Sequence, residues 1–359
     1  MSKAAELAAL IGSQTALSNR NLIINGAMQV AQRGTQTSIT SAYTACDRWN
    51  FTRSGAAVVD ASQSTDVPSG EGFADSLKID VTTADSSVGA GDFAHVRTRF
   101  EGQNLQQLRK GTSEAKSLTL SFWVKSAKTG THIVELYDLD NTRQVSKSYS
   151  INIADTWQNV VLQFPADTTG TFDNDNAASL QVAWWLLAGS TYSSGTLNTS
   201  WASSTNANRV VGQVNVMDDA ANNFYLTGVQ LEVGETATPF EHEDYGTTLA
   251  KCQRYYQRIQ GVSGNQIDVG VGVVGASTGV FRAITDLKAT MRTAPTLSAL
   301  GLTAYDGSSN PTVDLSTSYA TPNQISFDVA NGVSLTVGRA GVILIGANAA
   351  NYFDASAEL

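Results

Sequence analysis

Apolar and polar residues alternate with a period of two along much of this chain, which is the pattern of half-buried strands. Leu118 to Lys125 sets Leu118, Leu120, Phe122 and Val124 on one face and Thr119, Ser121, Trp123 and Lys125 on the other. Thr131–Asp138, Lys147–Ile153, Trp157–Phe164, Leu180–Ala188 and Phe224–Val233 continue the series. From Asn21 to about Val233 strand follows strand, separated by clusters of Gly, Ser, Thr, Asn and Asp, with no helix of useful length between them. That run predicts an all-β fold, a two-sheet sandwich of jelly-roll type, because a parallel sheet would need crossover helices. The period changes at the start. Ala4, Leu7, Ala8 and Ile11 form one helical stripe, closed by Gly12. A helix of ~10 residues is unstable alone in water, so the stripe is expected to dock, as an anchor into a larger assembly or as a strap on its own domain.

After Val233 the pattern breaks. Thr236 to Gly246 combines a proline, a glycine and the acidic group Glu241, Glu243 and Asp244, which marks a boundary. Thr247 to Ile259 starts as a helical turn and straightens through Tyr255 and Tyr256. Strand-like pieces follow at Gln266–Val274, Leu297–Tyr305, Gln324–Val329, Ser334–Val337, Val342–Gly346 and Asn351–Ala357. The expected organisation is a helix and polar linker over 1–20, a jelly roll over 21–245, and a second, smaller β-sandwich over 246–359. A length of 359 residues suits that division at ~150 residues per domain.

Composition sharpens this picture. Charged residues are 15% of the chain, below the ~25% of ordinary domains, and 30 glycines accompany many Ser, Thr, Asn and Ala. The surface is uncharged and polar, which disfavours a helical enzyme core. The net charge is -9, and from residue 250 onward basic and acidic residues balance at seven each, so the excess acidity lies in the first part. Neither nucleic acid nor an anionic membrane is an expected partner. No apolar run approaches the ~18 residues of a membrane span, and the N-terminus does not read as a secretory leader. Cys46 and Cys252 read as small buried hydrophobes.

Two short motifs invite chemistry. Gly270-Val-Gly-Val-Val-Gly275 matches the dinucleotide glycine turn, but the Gly/Val alternation reads as one continuous strand. Gly275-Ala-Ser-Thr-Gly279 matches a nucleophile elbow, and Val280, Ile284, Leu287 and Met291 are helix-spaced behind it. Yet His95, His132 and His242 all precede Ser277, the reverse of the hydrolase order. Acid pairs such as Asp138 with Asp140 and Asp173 with Asp175 read as turn caps. No cofactor is expected, although loop oxygens of such a sandwich could hold a structural Ca2+.

What remains is aromatic. Trp123 stands on the polar face of its strand; Tyr137 with Glu135, and Trp185 with Gln181, fall opposite apolar sets on their own strands. Aromatic faces beside amides and carboxylates suit sugar rings, so these five are the candidate glycan contacts. The competing reading puts the same rings under loops or against another subunit.

Several strings carry a family likeness. Asn21-Leu-Ile-Ile-Asn-Gly-Ala-Met28 resembles the opening strand of carbohydrate-binding-module jelly rolls of the galactose-binding-like type. Leu118–Lys125, Thr156–Val161 and Leu226–Glu232 resemble later strands. Together with Tyr43–Trp49, Pro239–His242 and Cys252–Tyr256, they are similar to virion structural proteins of tailed bacteriophages, above all tail-fibre or other surface appendage proteins. Met291–Thr296 and Phe353–Leu359 resemble the terminal β-domain of the same proteins. The resemblance implies a non-enzymatic homotrimer, assembled in the host cytoplasm into a virion, with Ala4, Leu7, Ala8 and Ile11 as its anchor to other virion proteins and host-surface polysaccharide as its target. Two alternatives keep the fold: a capsid decoration or head fibre, and a polysaccharide depolymerase.

Overall fold

The computed structural model describes residues 20–275, 279–332 and 335–359. Two compact units divide at Tyr245 and Gly246. The expected anchor stripe of Ala4, Leu7, Ala8 and Ile11, and Ser277 of the elbow motif, lie outside the described residues.

In the first unit the strands run β1 (Gln36–Ile39), β2 (Ser41–Tyr43), β3 (Asn50–Ser54), β4 (Val58–Ser64), β5 (Ser76–Thr83), β6 (Phe93–Glu101) and β7 (Leu118–Ser126). They continue as β8 (Gly130–Asp138), β9 (Arg143–Ile151), β10 (Gln158–Phe164), β11 (Ala178–Ala188), β12 (Ala202–Ser203) and β13 (Asn223–Val233). Two antiparallel sheets result, one six-stranded in the order β1-β4-β5-β13-β7-β10 and one seven-stranded in the order β12-β9-β8-β11-β6-β3-β2. The alternating residues meet between them. Phe122, Val124 and Leu226 of the first sheet pack with Val134, Leu136, Val182 and Trp184 of the second. Trp184 lies 5.4 Å from Trp49 and edge-on to Phe122 at 5.5 Å. Each such side chain, fully buried, contributes about 1.5–3 kcal/mol. The fold is the all-β sandwich that period-two alternation demands.

Asn21–Met28 is the exception: the expected opening strand is a strap and turn. Asn25 sits at φ 59°, its side-chain amide donates to the carbonyls of Val30 and Asp47, and its Oδ1 accepts from the Val30 amide. Asn21 Oδ1 likewise accepts from the amides of Ile23 and Leu231. Asparagine side chains here take the partners that a ladder would use.

A buried charge cluster lies at one end of the sandwich. The Lys110 ammonium is 2.5 Å from Asp138, 3.1 Å from Asp167, and 2.8 Å from each of the carbonyls of Thr169 and Gly170. Arg143 closes the group on Asp167 at 2.8 Å. A lysine thus occupies the oxygen-lined position beside Asp138, and among the described residues no group of three or more His, Cys, Asp or Glu side chains is placed to hold a metal ion.

The second unit contains α2 (Tyr245–Gln253), numbered after the single-turn α1 (Ser190–Ser193) of the first unit, although Tyr245 itself falls in the first. Then come β14 (Tyr256–Gln260), β15 (Ile267–Val274), β16 (Gly279–Asp286), β17 (Thr296–Leu300), β18 (Leu302–Tyr305), β19 (Thr312–Ala320), β20 (Gln324–Gly332), β21 (Ala340–Ile345) and β22 (Tyr352–Ser356). Where a second pair of layers was expected, β15-β16-β20-β19-β18-β21 close into a barrel, beside a three-stranded sheet β14-β22-β17. The expected strand Leu297–Tyr305 is divided between the two by Gly301 at φ 70°. Leu335–Val337 is not strand, and the helix-spaced Val280 and Ile284 lie on β16. The glycine motif is strand, as its alternation implied. A Cβ on Gly272 would sit 1.8 Å from the Arg282 carbonyl oxygen of β16, so the missing side chain admits a neighbouring strand.

Candidate functional site

Consecutive strands β7 and β8 belong to different sheets, and this separates the five aromatic and polar candidates. Trp123 lies on the outer face of the six-stranded sheet; Glu135, Tyr137, Gln181 and Trp185 lie on the outer face of the seven-stranded one. They form two sites.

Trp123 is half-buried in a groove of about 500 Å³, which also contains Phe73, Asn159, Phe240 and His242. Phe73, Phe240 and His242 pack on one another with ring centroids 5.0–5.3 Å apart. Gly228, at φ 59° in a bulge of β13, makes room for them: a Cβ there would lie 2.6 Å from Phe73 and 3.1 Å from Trp123. Lys125, on the same face of the strand as Trp123, is buried in an ion pair with Asp66 and lies 4.2 Å from the Tyr225 ring centre.

The second groove, of about 240 Å³, brings Tyr137, Gln181 and Trp185 together with Phe93, His95, Arg97, Arg99, Tyr192 and Arg209. Alternation on β6 aims His95, Arg97 and Arg99 outward while Ala94, Val96 and Phe100 fill the core. Trp185 pairs with His95, and Gln181 with Arg99, across the ladder. Tyr192 comes from α1, and Arg209 from the loop before β13.

Glu135 is wholly buried beneath this groove. Its carboxylate accepts two bonds from Arg209 at 2.7 Å and one from the Trp185 indole at 3.2 Å. Burial opposes the charge on Arg209, but Glu135 more than offsets it, and the guanidinium is held above the ordinary arginine range. Arg209 in turn covers the rings, 4.8 Å from Tyr137, 5.1 Å from Trp185 and 5.8 Å from Tyr192. Trp185 is therefore only 1% exposed, and the rings that line the open groove are those of the half-buried Tyr137, Phe93 and Tyr192. Gln181 uses its Oε1 as a shared acceptor for Arg97 at 3.3 Å and Arg99 at 3.0 Å.

Sequence reasoning found Tyr137, Gln181 and Trp185 from their outward register. It missed His95, Arg97 and Arg99, although Phe93–Glu101 alternates by the same rule: His95, Arg97 and Arg99 occupy every second position between Ala94, Val96, Thr98 and Phe100. Arg209 carries no comparable sequence signal, because it arrives from an irregular loop.

No family model and no curated protein matches the chain. Among solved structures it is similar to the enzymatically active domain of tailspike protein 4 of bacteriophage CBA120, at 16% identity and a TM-score of 0.34, over 60% of this chain and 21% of that one. The likeness thus spans about a fifth of the tailspike chain. It is also similar to the family 11 carbohydrate-binding module of the cellulosomal cellulase Lic26A-Cel5E of Clostridium thermocellum, at 12% identity and a TM-score of 0.28, over 59% of this chain and 98% of that one. A third likeness, to the TmCBM61 module in complex with β-1,4-galactotriose, has 10% identity and a TM-score of 0.32 over 60% of this chain and 99% of that one.

Proposed function

We propose that the chain is a non-enzymatic glycan-binding subunit of a phage virion appendage, and that it engages host-surface saccharide through the groove on its seven-stranded sheet. The observation that carries this reading is the composition of that groove. The rings of Tyr137, Phe93 and Tyr192, the Gln181 amide and three guanidiniums line one outward depression on a rigid sheet. Sugar rings offer an apolar face rimmed by hydroxyls, and this surface offers rings rimmed by forked donors. The engagement of Glu135 supports binding rather than cleavage in this groove. The carboxylate at this groove is wholly buried and committed to Arg209 and Trp185, so it neither protonates a leaving oxygen nor activates water.

The virion placement rests on the sequence likeness of Tyr43–Trp49, Pro239–His242 and Cys252–Tyr256 to phage appendage proteins. A homotrimer would present several copies of a shallow site and multiply weak contacts into avidity. The test is binding of labelled chain to host-surface polysaccharide, with assay for new reducing ends. Tyr137→Ala is expected to weaken binding at least about tenfold while Trp123→Ala retains it, and no reducing ends are expected to appear. Loss on Trp123→Ala alone would move the site to the other sheet; new reducing ends would replace attachment with depolymerisation.

A further inference from the structure

The second groove is positively charged in a chain whose net charge is -9. Arg97, Arg99 and Arg209 all line it, and among the described residues no carboxylate does; Glu135, beneath it, pairs with Arg209. Arg97 and Arg99 converge on one neutral oxygen, Gln181 Oε1, and Arg97 also donates to Asn50 Oδ1 at 3.1 Å. Bringing two guanidiniums together, half-buried and with side-chain acceptors among the described residues that are amides, costs desolvation and mutual repulsion that Tyr43 offsets only in part. Burial first, and Arg99 second, lower Arg97 to about 10, and burial lowers Arg99 as well.

A second feature is the histidine in the groove wall. His95 is 5% exposed, forms part of the groove wall, and among the described residues neither of its ring nitrogens has a hydrogen-bond partner. It is packed 5.5 Å from Phe93 and 5.0 Å from Trp185. Burial, then Arg97, Arg209 and Arg99, push its pKa well below the ordinary value, so the ring is neutral and presents one donor and one acceptor. Arginines donate only. A fully ionised inorganic anion such as sulfate would satisfy the arginines and leave the His95 acceptor idle, whereas a molecule bearing both a negative group and hydroxyls uses both. At about 240 Å³ the groove is smaller than the ~300–1,000 Å³ of drug-sized sites, which fits one sugar unit rather than a long chain segment.

We infer that this groove selects an acidic saccharide, its anionic group lying between Arg97 and Arg99 and a hydroxyl reaching the buried imidazole of His95. The inference rests on the glycan-binding reading above and adds the ligand's charge to it. A carboxylate and a phosphate ester share the required chemistry, since either accepts from two guanidinium forks.

The experiment uses the full chain on an array of bacterial surface-polysaccharide fragments. Each carboxylated fragment is printed beside its carboxyl-reduced copy, and each phosphorylated one beside its dephosphorylated copy. The expected result is at least about tenfold tighter binding to the acidic member of one pair class, which identifies the anion, with marked weakening from about 0.05 to about 0.5 M salt. Arg97→Gln and Arg99→Gln should each abolish the preference. Arg339→Gln, which removes the same charge from an exposed position on the barrel, should preserve it. Thermal melts confirm that each variant is folded. Equal binding to both members of every pair overturns the charge selection and leaves glycan binding standing; binding to neither overturns both. Complete displacement by inorganic phosphate at equal concentration also overturns the inference, because it would show an anion site indifferent to the sugar.

Discussion

Two buried side chains carry consequences that solution measurements can read. His132 is buried on β8, its Nε2 lies 3.0 Å from the Lys128 carbonyl, and its ring stacks on Tyr149 with 5.4 Å between centroids. Burial, only partly opposed by that carbonyl, lowers its pKa to about 4. The unfolded chain binds a proton at this histidine below about pH 6.5 and the folded chain does not until about pH 4, so stability falls as pH drops through that window. Its share of the loss is on the order of 3 kcal/mol, at ~1.4 kcal/mol per pH unit. Urea unfolding at pH 7 and pH 4 should show His132→Asn losing less than the parent by about that amount; parallel losses would contradict it. Lys110 makes the opposite kind of statement, because its charge is buried and used. Lys110→Met strands Asp138 beside Asp167, which retains Arg143, and should cost about 3–5 kcal/mol in the same measurement. A cost below about 1 kcal/mol would mean that water already reaches the cluster.

At the scale of elements, one glycine shapes the first groove. Gly228 interrupts the β13–β7 ladder between Thr227 and Gln230, where positive φ and the Phe73 ring leave no room for a Cβ. Gly228→Ala should destabilise the chain by about 1–3 kcal/mol and change the fluorescence of Trp123 by displacing Phe73; an unchanged melt would show that the bulge tolerates a side chain. Strands were legible wherever one face is core and the other solvent. β7, β8, β10, β11 and β13 stand within two residues of where alternation puts them. Legibility ended where local chemistry outranks period. Asn21 and Asn25 turn an apolar string into a strap through side-chain hydrogen bonds, and Gly301 divides one expected strand between a sheet and a barrel. β16 was missed because Val280, Ile284, Leu287 and Met291 keep helical spacing while the segment pairs with β15 and β20. The site was legible by face but not by sheet. Register placed Trp123 and Trp185 outward, yet no residue says that β7 and β8 part into different layers.

At the scale of the whole molecule, the barrel of the second unit wears its apolar residues outside as well as inside. Register aligns Tyr319, Ser326, Ile284, Val271, Val342 and Tyr305 in one row across six adjoining strands. Val271 is 65% exposed, and Ile284, Tyr305 and Tyr319 are exposed with it. The barrel's core is already supplied by the inner residues Phe281, Ala283, Phe327 and Ile343, so this outer belt lies outside it. A belt of this kind is what a sister subunit would cover in the homotrimer proposed above, and it is a surface a lone chain would pay for in solubility. The two roles separate by one substitution. Val271→Asp adds a charge at an exposed position outside the buried core, so at a dilution where both chains are single copies it should cost no more than about 1 kcal/mol relative to the parent. Light scattering should then read a trimer's mass for the parent and a monomer's for Val271→Asp. A parent that is monomeric at every concentration would remove the avidity argument and require the groove on the seven-stranded sheet to act alone. A variant that remains trimeric would place the contact elsewhere on the chain.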